Sequence, residues 1–204
     1  AFGFGAPPLI EGLEFEDDYL SNVVESYYFI NYDTSVYVAY KKAFKSGGID
    51  NSALPTASIN PLSPTFAGFD ALIYDSEEAD GFEIGLKSNL LNNSMRLNAT
   101  YYKYEYTDLQ VQLFDAAIIQ FSTFNAGAVE TEGFEADVLW NTDIEGLTLR
   151  GQFAWTDATN TGDFITPGGE NLKGSKRSYS PEIAGSFGLS CLLYTSDAAD
   201  DTDS

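Results

Sequence analysis

The chain has 204 residues, with 31 acidic and 10 basic side chains, no His, one Cys and 15% aromatic residues. Without His, the sequence excludes Ser-His-Asp triads and His-containing zinc sites, and its acidity makes nucleic acid an unfavourable partner. No run approaches about 18 consecutive apolar residues, which excludes a transmembrane helix. The aromatic-rich, Gly-punctuated composition favours an all-β fold.

The two ends of the chain differ from the rest. Residues 1–20 are rich in Gly, Pro and acidic side chains and predict only weak order or a partial strand, and the start at Ala1, without Met or a leader, suggests an internal fragment. The stretch from Cys191 to Asp201, CLLYTSDAADD, breaks the strand pattern and resembles a translated sequencing adapter. We therefore treat residues 191–204 as a non-native tail, with a natural acidic tail as the alternative. Without it the chain has no Cys and no disulfide framework.

Apolar and polar residues alternate through most of the chain, which predicts about seven strands. The first two are expected at 23–31 and 35–44, followed by a Gly- and Pro-rich stretch that is typical of a functional loop or of disorder. A third strand at 79–88 leads through an Asn-rich turn into a fourth that runs to residue 114, and a fifth spans 118–140. These last two are about twice the length that a tilted strand needs to cross a bilayer. A sixth strand at 147–158, a second long loop and a seventh strand at 181–190 complete the pattern.

The fifth and sixth strands form the clearest hairpin, since a short polar turn joins two arms of period two. Matching large side chains with large ones places Trp140 opposite Leu147 on the apolar face. The same register places Asp137 opposite Arg150 on the polar face, where directly opposed Cβ atoms lie about 4.5–5.5 Å apart.

Two architectures are compatible with this hairpin alone. A soluble sandwich buries its apolar face, whereas an outer-membrane barrel turns that face to lipid and lines its interior with the polar one. Short turns follow the first, third and fifth strands, and two of the other connections are long. Because transmembrane barrels sort short turns to one rim and long loops to the other, the pattern favours an antiparallel up-and-down transmembrane β-barrel fragment. Trp140 and Trp155 are then expected at the two membrane interfaces.

Several segments carry a family resemblance. YVAYKKAFKSGG, GFEIGLKSNL, RLNATYYKYEYTDLQVQ, NAGAVETEGFEADVLW and GLTLRGQFAWTDA resemble, in order and spacing, the C-terminal half of TonB-dependent outer-membrane receptors. The resemblance covers about residues 21–190. It implies an outer-membrane receptor of a Gram-negative bacterium that imports siderophores, corrinoids or glycans, surrounded by lipid and coupled to the TonB complex through a plug domain missing here.

This resemblance implies binding without catalysis, and we expect no cofactor. With neither His nor an authentic Cys, a metal site could be built only from carboxylate and carbonyl oxygens, which suit hard cations such as calcium, and we assign no metal ligand. The candidate ligand-binding residues are five in the loops and two in the lumen: Phe44, Lys45, Tyr74, Asp75 and Asp115, and Arg96 and Arg150. The alternatives are a secreted β-sandwich that binds carbohydrate, and an enzyme built in a barrel, which the absence of His disfavours.

The alternation also assigns charge to regions. It predicts three acidic and three basic side chains together in the lumen: Glu83, Glu135 and Asp137 with Lys87, Arg96 and Arg150. The acidic excess is then expected on the rim with the long loops, among Asp70, Asp75, Glu77, Glu78, Asp80, Asp108, Asp115, Glu130 and Glu132. Such a rim repels anions over about 8 Å at physiological salt, so we expect a neutral or cationic ligand, or loops bridged by calcium.

Overall fold

A computed structural model of the chain describes residues 14–50, 72–115, 120–166 and 168–192. The strands in these residues are β1 Asn22–Phe29, β2 Thr34–Lys45, β3 Gly48–Ile49, β4 Ile73–Tyr74, β5 Glu77–Leu90, β6 Met95–Thr107, β7 Gln110–Asp115, β8 Gln120–Asn125, β9 Val129–Asn141, β10 Leu147–Asn160 and β11 Ile183–Cys191. The described part of the chain contains no helix long and apolar enough to span a membrane.

Seven long strands form one antiparallel sheet in the order β1-β2-β5-β6-β9-β10-β11. The sheet does not close, because β1 and β11 each pair with one neighbour among the described residues. This arrangement confirms the prediction of an all-β, up-and-down fold with about seven strands. It also excludes the β-sandwich alternative for the described residues, because all the long strands share a single sheet.

The connections are sorted between the two rims of the sheet. Turns at 30–33, 91–94 and 142–146 join β1 to β2, β5 to β6 and β9 to β10, all at one rim, which we call the short-turn rim. The opposite rim, the long-loop rim, carries the hairpin of β7 and β8, the small β3–β4 pair and the connection from β10 to β11. The predicted sorting of turns and loops is therefore confirmed.

The two very long strands predicted from the sequence are each broken in two. β6 stops before Asp108, which has a φ of 52°, and β9 begins after Gly127, which has a φ of 68°. These two residues with positive φ are neighbours across the strand pair, because the amide of Leu109, which follows Asp108, donates to the Gly127 carbonyl at 3.1 Å. The prediction of continuous strands was wrong because a bend common to both strands separates the β7–β8 hairpin from the main sheet.

The hairpin of β9 and β10 has a different register from the predicted one. Trp140 lies opposite Leu149, two residues from the predicted partner, and Gln152 replaces Arg150 opposite Asp137. The turn decides this register: the Thr142 amide donates to the Leu147 carbonyl at 3.0 Å, and Gly146 has a φ of 77°. Because the shift is two residues, each side chain keeps its predicted face.

One face of the sheet, the apolar face, exposes large hydrophobic side chains. Among the exposed residues are Val38, Ile84, Phe134, Phe153 and Phe187. Contiguous apolar exposure of this kind marks an interaction surface and is uncommon on soluble monomers. Towards the long-loop rim this face becomes charged, because the row of side chains that follows Phe134 contains Lys103, Glu132 and Asp157.

The other face, the polar face, contains three tyrosines that lie directly opposite glycines on neighbouring strands. The pairs are Tyr37 with Gly85, Tyr102 with Gly133, and Tyr104 with Gly81. A Cβ atom on Gly133 would lie 2.5 Å from the Tyr102 Cζ, and one on Gly81 would lie 2.6 Å from the Tyr104 Cδ1. Glycine is therefore required at these positions so that each ring can lie flat across the adjacent strand.

Candidate functional site

The half of the polar face nearer the long-loop rim is a wall of tyrosine rings. Tyr102, Tyr104 and Tyr106 follow each other at every second position of β6, and Tyr37 lies on β2. A cavity of about 440 Å³ opens on this tyrosine wall. Its lining is Tyr37, Glu83, Thr100, Tyr102, Tyr104, Tyr106, Thr131 and Glu135.

Hydrogen bonds hold three of these rings in place. The Tyr37 hydroxyl lies 3.1 Å from the Thr100 Oγ1, and the Tyr102 hydroxyl lies 3.0 Å from the Thr156 Oγ1. Each of these tyrosines therefore reaches across a glycine strand to the strand beyond it. The Tyr104 hydroxyl donates to the Glu83 Oε1 at 2.5 Å. With the hydroxyls bonded, the rings present mainly their carbon surfaces to a ligand.

Two carboxylates lie in the wall, and their surroundings differ. Glu83 accepts a hydrogen bond from the Lys41 ammonium at 2.7 Å, and its side chain is 18% exposed. Glu135 is exposed and lies between Thr100 and Ala154 in its row. In the described part of the chain, the carboxylate of Glu135 has neither a hydrogen bond nor an ion pair. Glu135 is therefore the carboxylate of the wall that is available to a ligand.

Basic residues collect at the short-turn end of the polar face. Arg96 and Arg150 lie on either side of Leu139 in one row. In the next row, the Lys87 ammonium lies 5.1 Å from the centroid of the Tyr37 ring. The predicted mixture of acidic and basic residues on this face is present, but the two signs are displaced along the strands. Acidic side chains are more frequent in the tyrosine wall and basic ones near the short turns.

The partner predicted for Asp137 was wrong. The Asn98 amide, directly opposite on β6, donates to both carboxylate oxygens of Asp137 at 3.1 and 3.0 Å. Arg150 lies opposite Gly188 of β11. Its side chain packs over this glycine, since a Cβ atom added to Gly188 would be 2.8 Å from the Arg150 Cγ. Both side chains still share the polar face, so the assignment of faces holds while the proposed ion pair does not.

The five candidate loop residues do not form one cluster. Phe44 and Lys45 belong to the end of β2, and the Phe44 ring stacks on Tyr19 at 4.6 Å on the apolar side of the sheet. Tyr74 ends β4, opposite Gly48, and Asp75 follows it. Asp115 lies at the far end of β7, opposite Gln120. Phe44 is thus placed away from the tyrosine wall, whereas Tyr74 and Asp75 lie at the long-loop rim.

Asp75 contributes to a junction that fixes the β7–β8 hairpin. The Asn125 Oδ1 accepts from the Asp75 amide at 2.8 Å, and the Asn125 amide group donates to the carbonyls of Asp75 at 2.9 Å and Asp108 at 2.8 Å. The Gln110 side chain donates to the Asp75 carbonyl at 3.1 Å and to the Ser46 carbonyl at 2.9 Å. Each strand of the hairpin therefore has one side-chain amide at its base, Gln110 on β7 and Asn125 on β8, that connects the strand to Asp75 at the end of β4.

The acidic residues expected on a rim lie at the long-loop end of their strands, except Asp70, which is outside the described residues. Some of these acids are neutralised, since Lys42 pairs with Glu78 at 2.7 Å and Lys103 with Glu130 at 2.9 Å. The described residues include no group of three or more His, Cys, Asp or Glu side chains placed to hold a metal ion. The expectation of calcium-bridged loops stays a prediction.

Residues 15–201 match the family model of the TonB-dependent receptor-like β-barrel. The chain belongs to this family. Members of the family are transport receptors of the Gram-negative outer membrane. The polar face is therefore the lumen wall, the apolar face contacts lipid, and the short-turn rim is periplasmic. No curated protein sequence matches the chain.

Solved structures of similar fold come from the same family. The ferric yersiniabactin uptake receptor FyuA from Yersinia pestis is 18% identical, with a TM-score of 0.63 over 88% of this chain and 24% of that chain. The ferripyoverdine receptor of Pseudomonas aeruginosa is 16% identical, with a TM-score of 0.55 over 86% and 20%. The alcaligin receptor FauA from Bordetella pertussis is 12% identical, with a TM-score of 0.53 over 86% and 26%. The chain thus spans a fifth to a quarter of the length of these receptors and is a fragment of a barrel.

The lipid-facing surface ends in a row of aromatic residues. Tyr101, Phe134 and Trp155 lie side by side on β6, β9 and β10, one row below the first charged residues. Trp140 lies close to the short turns, opposite Met95 and Leu149. The two tryptophans are thus at opposite ends of the apolar belt, as predicted for a transmembrane barrel with aromatic girdles.

The tyrosine wall was missed by the sequence analysis. Its signal is the segment YYKYEYT, in which three tyrosines recur with period two on the polar face of β6. The second half of the signal, a glycine opposite the ring, depends on the pairing of strands and becomes visible only in the sheet. Cys191 closes β11 opposite Leu147, and residues 193–204 are outside the described residues, so the adapter interpretation of the tail stays a prediction.

Proposed function

We propose that this chain is part of an outer-membrane active-transport receptor that captures a scarce nutrient and releases it to the periplasm by TonB-energised import. Among siderophore-type chelates, corrinoids and glycans, we favour a siderophore-type chelate. The observation that carries the proposal is the pairing of a lipid-facing apolar belt with a lumen wall that offers a tyrosine-lined cavity of about 440 Å³. The structural neighbours are receptors for ferric yersiniabactin, ferripyoverdine and alcaligin, which supports this choice of nutrient class.

The proposed mechanism needs no catalytic residue. The lumen wall and the extracellular loops bind the nutrient, and a plug domain in contact with the TonB complex opens the path. The described lumen residues provide aromatic surface, hydroxyls and carboxylates, which are binding groups. Receptor function is therefore a better explanation of this arrangement than an enzyme built in a barrel.

Uptake by cells tests the proposal. A strain lacking the intact receptor is compared with the same strain complemented by it, under limitation for iron, for cobalamin or for carbon with glycans as the source. We expect receptor-dependent uptake of radioactive iron as a chelate, and loss of that uptake in a strain without TonB. Uptake that persists without TonB, or growth that depends on the receptor only when cobalamin or glycan is limiting, would contradict the proposal.

A further inference from the structure

The lumen of this fragment is polarised along the barrel axis. The extracellular half of the lumen wall, which includes the tyrosine wall and the strands beside it, contains four carboxylates and two ammonium groups, which are Glu25, Glu77, Glu83, Glu135, Lys41 and Lys45. The periplasmic half contains three basic groups and one carboxylate, which are Lys87, Arg96, Arg150 and Asp137. A ligand that enters from outside therefore meets an acidic, aromatic surface first.

The rings of the tyrosine wall suit a ligand with an apolar outer surface. The centroids of Tyr102 and Tyr104 are 6.1 Å apart, and their planes are inclined by 39°. Tyr106 continues the row toward the extracellular rim, on the same face as Val129. Together these rings form a continuous aromatic surface along which flat or apolar groups can pack.

The negative charge of the tyrosine wall discriminates between iron chelates that differ in net charge. Lys41 neutralises Glu83 at 2.7 Å, whereas Glu135 has no ion-pair partner within the described ranges. Three hydroxamates carry three negative charges and leave Fe³⁺ neutral, but three catecholates carry six and leave a net charge of −3. A chelate with that charge is repelled by Glu135, and a neutral or singly positive chelate is not.

We propose that the tyrosine wall is the binding surface for a ferric trihydroxamate-type chelate of net charge 0 or +1, and that Glu135 excludes polyanionic tris-catecholates. This inference rests on the proposed function and names the substrate class of the same site. Two residues carry the two roles, contact with the chelate and discrimination by charge, and their side chains are not needed to hold the sheet together. Tyr106 provides ring surface to the chelate, and Glu135 provides the charge that discriminates.

Binding to the intact, detergent-solubilised receptor tests this assignment through quenching of its intrinsic fluorescence. The probes are a neutral ferric trihydroxamate, a singly positive linear ferric trihydroxamate and a ferric tris-catecholate. We expect Tyr106→Ala to weaken binding of both hydroxamates by roughly three- to tenfold through loss of aromatic contact, and Tyr106→Phe to bind as the wild type does. Glu135→Gln is expected to improve tris-catecholate binding about tenfold with little change for the neutral hydroxamate.

The control for charge is Glu145→Gln, which makes the same substitution in the periplasmic turn and should change none of the affinities. Tight tris-catecholate binding that is insensitive to Glu135→Gln would overturn the inference, as would hydroxamate binding that is unaffected by Tyr106→Ala. In either case receptor- and TonB-dependent uptake of some iron chelate would still support the proposed function. If the receptor transports no iron chelate at all, the proposed function fails as well.

Discussion

The ring of Tyr102 lies across Gly133, its direct neighbour on β9, and the Tyr102 hydroxyl is 3.0 Å from the Thr156 Oγ1 on β10. A single side chain thereby spans three strands of the lumen wall. A Cβ atom on Gly133 would lie 2.5 Å from the Tyr102 Cζ and 2.6 Å from the Trp155 carbonyl oxygen. Since one of these neighbours is backbone, the contact cannot be relieved by moving the ring alone.

Substitution of this glycine should destabilise the barrel. We expect Gly133→Ala to lower the free energy of unfolding of the intact receptor by about 1–3 kcal/mol, the usual cost of overpacking. The measurement is urea unfolding in detergent, followed by tryptophan fluorescence. Gly151→Ala is the matched control, because a Cβ atom there would meet only the Val138 Cγ1, at 3.3 Å, and a carbonyl at 4.0 Å. Equal losses for the two variants would show that the Tyr102 ring is not responsible.

A second prediction concerns the partner of Asp137. Because the Asn98 amide donates to both oxygens of this carboxylate, a double-mutant cycle with Asn98→Ala and Asp137→Ala should give a coupling of about 0.5–1.5 kcal/mol. The cycle of Asp137→Ala with Arg150→Ala should give less than about 0.5 kcal/mol. Unfolding in detergent provides all four free energies of each cycle. A larger coupling to Arg150 than to Asn98 would contradict the observed register.

Alternation of side chains was sufficient to predict the faces of the strands, and the lengths of the connections were sufficient to predict the two rims. Register was not predictable in the same way. It is set by the turn, in which Gly146 adopts a φ of 77°, and that constraint outweighs the matching of large side chains. The bend at Asp108 was also hidden, because Asp is compatible with both extended and left-handed backbone. The tyrosine wall depends on which glycine faces which ring, and so it required the registers of β2 with β5, β5 with β6 and β6 with β9, for which the sequence analysis made no prediction.

A third prediction concerns the β7–β8 hairpin. Asn125 makes three hydrogen bonds at its base, at 2.8, 2.9 and 2.8 Å. Asn125→Ala removes them, and with about 0.5–1.5 kcal/mol for each bond we expect amide hydrogen exchange in the hairpin to rise by at least about tenfold. Exchange in β6 and β9 should stay unchanged. Gln112→Ala, at an exposed position of the same hairpin, is the control, and similar exchange rates in the two variants would argue against the junction.

The last prediction is a pH dependence of the extracellular loop between β10 and β11. The Lys173 ammonium donates to the Asp163 Oδ2 at 2.8 Å and the Asn171 amide to its Oδ1 at 3.1 Å, and these contacts hold the pKa of Asp163 below its ordinary value. A lowered pKa in the folded state stabilises the loop above the ordinary Asp pKa of about 3.9, and this contribution is lost as the pH falls through the lowered pKa.

We therefore expect amide exchange in residues 161–175 to show an additional increase as the pH is lowered from 5 to 3, once the intrinsic pH dependence of exchange is subtracted. The increase should be small, because the Asp163 side chain is 67% exposed and water screens the pair. Asp163→Asn should remove the step, since its amide does not titrate in this range. A step of the same size in that variant would assign it to another carboxylate, and Glu170→Gln, which alters the exposed acid of the same loop, is the variant to compare next.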